Sequence, residues 1–154
     1  MNLRELISPE AVMPALRASS KKQVLQILAE KAAELTGLNE RVIFDIVFQR
    51  EKLGSTGLGC GIAIPHGKLP DISQIIGIFA RLESPVDFEA LDDEPIDIVF
   101  LLLAPENAGA DHLKALSQIA RVLGHSDVVQ KLRNTHDANT LYTLLIQNSE
   151  SNAA

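Results

Sequence analysis

The chain has 154 residues, 46% of them hydrophobic, with 14 Lys and Arg against 20 Asp and Glu and a formal net charge of −6. That length and apolar share suit one globular domain, whereas a split into two would leave each half short of core. The acidic balance excludes sequence-independent binding to nucleic acid, which relies on surplus Lys and Arg to neutralise phosphates, and suits basic protein partners.

The N-terminal stretch MNLRELISPEAVMPAL lacks the basic start and continuous apolar core of a secretory signal, and a lone cysteine, Cys60, cannot form an intrachain disulfide. A cytoplasmic location is the expectation. Ser19 or Ser20 caps a helix carrying Val24, Leu25, Leu28, Ala32 and Leu35, which Gly37 stops. Asn39 opens a second helix through Val42, Ile43, Ile46 and Val47 to about Arg50, one turn beyond Ile46.

Three runs then read as strands: Gly61 to Ile64, Ile75 to Arg81 and Ile96 to Ala104. The last is nearly continuous Ile, Val, Phe and Leu, the pattern of a central strand covered on both faces. It contains Asp97 and is far shorter than the roughly 20 apolar residues of a membrane helix, so no membrane insertion is expected. A polar loop follows, then a helix with Leu113, Leu116, Ile119, Ala120 and Leu123 on one face and Gly124 at its end. Further helices are expected over Val128 to Leu132 and over Leu141 to Leu145, with 149–154 a polar, frayed tail behind a single domain of residues 1–148. Helices alternating with apolar strands point to an α/β fold, a mixed sheet flanked by helices on both faces.

The chemistry concentrates in GSTGLGCGIAIPHGK, residues 54–68. A dinucleotide fingerprint fails because Ile62 or Ile64 stands where its third glycine belongs, and a P-loop fails because Leu69 follows Lys68. No GxSxG elbow is present, and His66, His112, His125, His136 and Cys60 show no paired spacing for a metal, so neither a metal nor a cofactor is expected. Cys60 reads as a small residue tolerated in a tight loop.

His66 remains as a nucleophile: neutral imidazole carries a lone pair and attacks phosphorus without a general base. Gly57, Gly59, Gly61 and Gly67 can supply backbone N–H groups to an anion, Arg50 a planar charged fork, and His112 a ring donor at a helix N-terminus. The alternatives are a solvated helix-end cation for Arg50 and an ordinary first-turn residue for His112. Pro65 would end a strand just before His66, and Gly67 would let the chain turn away.

Leu58-Gly59 and Ile62-Ala-Ile-Pro-His-Gly67 resemble the signature of the fructose/mannitol-type IIA proteins of the phosphoenolpyruvate phosphotransferase system, and GSTGLGCGIAIPHGKL is most similar to their nitrogen-regulatory branch. Phe48 to Glu51, Ser84 to Asp92 and Asp111 to Leu116 fit the same family. The resemblance implies a cytoplasmic phosphocarrier. Its His66 would be phosphorylated on Nε2 by an HPr-like histidine phosphocarrier protein, with Arg50 and His112 as active-site partners and Ser55, Thr56 and Gly67 as phosphate-binding groups. It also implies regulatory targets such as potassium transporters or sensor kinases. Two other readings stay open: a sugar-uptake IIA component passing phosphate to a IIB domain, and a non-catalytic interaction module. A receiving rim of Leu58, Ile64 and Leu69 is expected around His66.

Overall fold

The computed structural model describes residues 2–151. Two short 3-10 turns lead into β1 (Val12–Leu16), followed by α1 (Lys21–Thr36) and α2 (Glu40–Lys52). The helix ends form where the sequence places them. The Ser20 side chain accepts from the Gln23 N–H, Gly37 closes α1 at φ +76°, and the Asn39 side chain accepts from the Val42 N–H.

Then come β2 (Gly57–Gly59), β3 (Ile62–Ala63), β4 (His66–Leu69), β5 (Ile76–Val86) and β6 (Ile96–Pro105). Three helices complete the chain, α3 (Ala110–Leu123), α4 (Ser126–Arg133) and α5 (Ala138–Ser151). The strands form one mixed sheet in the order β1-β5-β6-β3-β2, with β4 also pairing β6. β5 runs antiparallel to β6, while β3 and β4 run parallel to it. Within β6 every residue except Asp97 is buried, so helices cover the sheet on both faces, as its apolar run requires.

Three strands escape the sequence pattern. β1 contains Pro14 and lies at the sheet edge beside β5 alone, the one place where a missing N–H costs little. β2 is three residues inside the glycine-rich loop. β4 corrects the expectation that the chain turns away at Gly67: after Pro65 it resumes as a strand, with His66 opposite Leu102 and Gly67 opposite Leu103. α3 keeps Leu116, Ile119, Ala120 and Leu123 of its expected face in or against the core, but not Leu113. It buries His112, Ala115, Gln118, Ile119, Val122 and Leu123, and leaves Leu113 65% exposed. At the C-terminus α5 carries ordered structure past residue 148. Ser149 is fully buried, its Oγ accepting from the Leu3 N–H at 2.8 Å and from Gln118 at 2.9 Å. The last part of the expected tail, 152–154, lies outside the described residues.

Gly67 brings β4 against α2. A Cβ there would stand 2.7 Å from Ile46 Cγ2, so only glycine allows the strand and helix to lie this close. Gly67→Ala is therefore expected to destabilise the fold by about 1–3 kcal/mol, as overpacking does. Adding Ile46→Ala should return part of that loss, a non-additivity that urea unfolding of both single variants and the double variant would measure.

Candidate active site

His66 is the first residue of β4 and is half-buried. Its Nδ1 lies 2.9 Å from the carbonyl oxygen of Ile64. A carbonyl only accepts, so Nδ1 carries the proton and Nε2 keeps the lone pair. The neighbouring strand residues are tied on both sides: the Leu102 N–H donates to Pro65 O at 2.9 Å, and the Ile64 N–H to Thr56 O at 3.1 Å.

His112 meets His66 across the end of the sheet, the ring centroids 5.5 Å apart and the planes tilted by 54°. β6 delivers it, because Pro105 ends the strand and α3 starts at Ala110 after Gly109, which adopts φ +60°. His112 is not an ordinary first-turn residue: it is only 8% exposed, and its buried Nδ1 has no hydrogen-bond partner among the described residues. Burial holds its pKa below the ordinary imidazole value, with smaller contributions from positive charge on His66 and on Lys68. Lys68 follows His66 by two residues on β4 and so shares its face of the strand.

Arg50 occupies the last turn of α2, one turn beyond Ile46, the residue that packs on Gly67. The chain leaves α2 and reaches Thr56, which is bonded to Ile64, so the C-terminal end of α2 lies on the His66 side of Gly67. Arg50 as a residue is half-buried, and its Nη1 donates to Gly54 O at 3.0 Å in an exposed hydrogen bond. Four of its five N–H donors have no partner specified by that contact.

The two hydroxyls of the loop are used differently. Ser55 Oγ accepts from the Gly57 N–H at 3.1 Å, which leaves its own proton available. Thr56 is buried and donates its hydroxyl proton to Glu51, whose carboxylate also accepts the Thr56 N–H at 3.2 Å. Gly67 sits within the parallel ladder against α2, where its visible role is close packing. Of the expected apolar rim only Leu58 is exposed, at 50%; Ile64, between β3 and β4, and Leu69, at the end of β4, belong to the core.

Other candidates lie apart from the pair of imidazoles or converge on nothing. Cys60 is at the exposed turn between β2 and β3, at φ +57°, with its N–H donated to Asp92 and its carbonyl accepting from Arg133. His125 and His136 are exposed. Among the described residues no three of His, Cys, Asp and Glu gather as a metal site would need, and no helix is long and apolar enough to cross a membrane.

Glu51 was missed by motif reading, yet the sequence marks it. Ile43 and Val47 form the buried stripe of α2, and Glu51 is the next position at the same four-residue spacing, so a carboxylate occupies a core position.

Residues 5–148 match the family model of the phosphoenolpyruvate-dependent sugar phosphotransferase system, EIIA 2. The chain is 59% identical over 145 residues to a nitrogen regulatory protein of Bradyrhizobium diazoefficiens, covering 94% of this chain and 95% of that one. It is 38% identical over 146 residues to the nitrogen regulatory protein of Escherichia coli K12, covering 94% and 90%. In three dimensions it is similar to the crystal structure of nitrogen regulatory protein IIA-Ntr from Neisseria meningitidis, with a TM-score of 0.87 at 34% identity, covering 92% of this chain and 97% of that one. With its mixed sheet flanked by helices, the chain belongs to the type-2 EIIA family of the phosphoenolpyruvate-dependent phosphotransferase system, and the three similar proteins described above are nitrogen regulatory proteins.

Proposed function

We propose that this protein accepts a phosphoryl group on Nε2 of His66 from an HPr-like histidine phosphocarrier protein in the cytoplasm, and that its phosphorylation state governs its binding to regulatory targets. The observation that carries the reading is the hydrogen bond from His66 Nδ1 to Ile64 O, because it leaves Nε2 as the ring's nucleophilic atom beside a second imidazole. In transfer, the Nε2 lone pair forms a bond to phosphorus while the donor's P–N bond breaks and its electron pair returns to the donor ring. Such a transition state gains little from covalent help and much from positioned charge. Arg50 supplies a planar cation, the Ser55 hydroxyl a free donor, and the N-terminus of α3 a region that favours anions. Thr56 and Gly67 serve the same site by holding its walls.

The phosphorylated ring adds about two negative charges to an acidic chain, which gives a partner docking over this face a switch in charge sign. The resemblance to nitrogen regulatory proteins favours regulation as the outcome, with potassium transporters or sensor kinases as the targets it implies. Transfer onward from His66 to a IIB domain in a purified mixture would instead establish the sugar-uptake reading.

Intact-protein mass after incubation with phosphoenolpyruvate, enzyme I and an HPr-type carrier, at neutral to mildly alkaline pH, should show one added phosphoryl group on the wild type and none on His66→Ala. An unmodified wild type, or a modified His66→Ala, would contradict the assignment.

His112 provides a second check. Its depressed folded-state pKa means that the folded chain binds fewer protons than the unfolded one between that value and the ordinary value of about 6.5. This group's penalty on stability is fully present below the folded pKa and disappears as the pH rises past about 6.5. An NMR titration should place the His112 midpoint below the ordinary value. In His66→Ala the midpoint should move up, because one positive neighbour and part of the cover over His112 are gone, while staying depressed because the rest of its burial remains.

A further inference from the structure

Among the described residues the most enclosed charged side chain, Glu51, is not one of those that would touch phosphate. Glu51 is 3% exposed at the end of α2. Its Oε2 has no aligned hydrogen-bond donor; Lys21 Nζ, from the first turn of α1, stands 2.7 Å away as the counter-charge. Lys21 is itself held: it donates to Phe88 O at 3.3 Å and lies 5.6 Å from the centroid of the fully buried Phe88 ring. A buried carboxylate is costly to keep, and a core position on the Ile43 and Val47 stripe would be satisfied by a leucine. The charge therefore calls for a use.

That use is visible in the hydrogen bonds leading away from it. Glu51 Oε1 accepts both the N–H and the hydroxyl proton of Thr56. The Thr56 carbonyl accepts the Ile64 N–H at 3.1 Å, and the Ile64 carbonyl accepts from His66 Nδ1 at 2.9 Å. Glu51, Thr56, Ile64 and His66 thus form one hydrogen-bonded series that steps through the backbones of Thr56 and Ile64, from a fixed carboxylate to the ring nitrogen that decides the tautomer of His66. Hydrogen bonds to an ionised acceptor are short and strong, so the Glu51 end anchors the series. The same series commits the Thr56 hydroxyl: its single proton goes to Glu51 and is not available to a phosphate oxygen.

We propose that Glu51 is a positioning residue for His66, acting through Thr56 and the backbone of Ile64 to hold the imidazole with Nδ1 protonated and Nε2 bare, with Lys21 as the counter-charge beside the buried carboxylate. This rests on the reading of His66 as a phosphoryl acceptor. Misplacing a reacting atom by a fraction of an ångström or populating the wrong tautomer lowers the rate of the bound complex and leaves the affinity for the donor largely unchanged.

The test uses three variants of the full chain, Glu51→Gln, Thr56→Val and Thr56→Ser. Two readings are made on folded protein: the tautomer of His66 by heteronuclear NMR of ring-labelled histidine, and the rate of phosphorylation at saturating HPr-type donor. In the wild type and in Thr56→Ser the Nδ1–H tautomer should dominate. In Glu51→Gln and Thr56→Val it should lose population to the Nε2–H form, and the saturated rate should fall roughly tenfold or more with KM for the donor little changed. Serine should rescue because it restores the hydroxyl, which a purely structural role filled by the β-branched shape of threonine would not require. Should Glu51→Gln fail to fold, Thr56→Val decides alone, since valine keeps the volume of threonine. A folded variant with wild-type tautomer and wild-type saturated rate would overturn the proposal. If the wild type accepts no phosphate at all, the acceptor reading falls, while the tautomer comparison still upholds or overturns the positioning role of Glu51.

Discussion

The structure depends on β6 pairing with two short strands in succession along one edge. β3 takes Ile98 and Val99, and β4 takes Leu102 to Pro105. Between them Ile64 and Pro65 form a two-residue step, and each contributes its carbonyl to a different task. Pro65 O stays in the sheet by accepting from Leu102, while Ile64 O leaves the sheet and accepts from the His66 ring. Proline has no N–H to offer a ladder, so the step is the natural place for pairing to lapse. A histidine at the next position is then held by its backbone to the most buried strand of the molecule and by its ring to the step just before it. Few of its freedoms remain to be fixed when a partner arrives, which is the condition for transfer by positioning.

The second imidazole reaches the same place because β6 ends beside the start of β4. His112 opens the helix that follows β6, and burial there keeps it short of protons. Two adjacent histidines in water would both charge in mild acid; here the buried one resists, and a charge on either opposes a charge on the other. In the proposed transfer, a His112 that resists protonation would face the phosphoryl group without competing with His66 for a proton. Lys68 adds a cationic side chain on the same strand face as His66, in a chain whose formal net charge is −6.

Much of this was legible in the residues. Ser20, Gly37 and Asn39 bound their helices by local chemistry, and the apolar run of β6 required cover on both faces wherever it lay. The convergence of His66 and His112 followed from each standing after a strand. What stayed hidden depends on partners distant in sequence. His66-Gly-Lys-Leu69 has no run of β-branched residues, and it is a strand because β6 offers it a parallel edge. β1 carried no strand expectation, and its Pro14 is accommodated because the strand lies at the sheet edge. The face of α3 was misjudged by one leucine, Leu113, since two overlapping apolar stripes on that helix differ only in what they pack against. Ser149 looked like part of a frayed end because its partners, Leu3 and Gln118, lie at the far end of the chain and on another helix.

The central claim is that the fold presents Nε2 of His66, and no other atom, to phosphorus. Heteronuclear NMR of the phosphorylated protein with labelled imidazole rings distinguishes the two ring isomers of phosphohistidine and identifies the residue. Phosphorus is expected on Nε2 of His66, with Nδ1 still facing the Ile64 carbonyl. Phosphorus on Nδ1 of His66, or on His112, would contradict it.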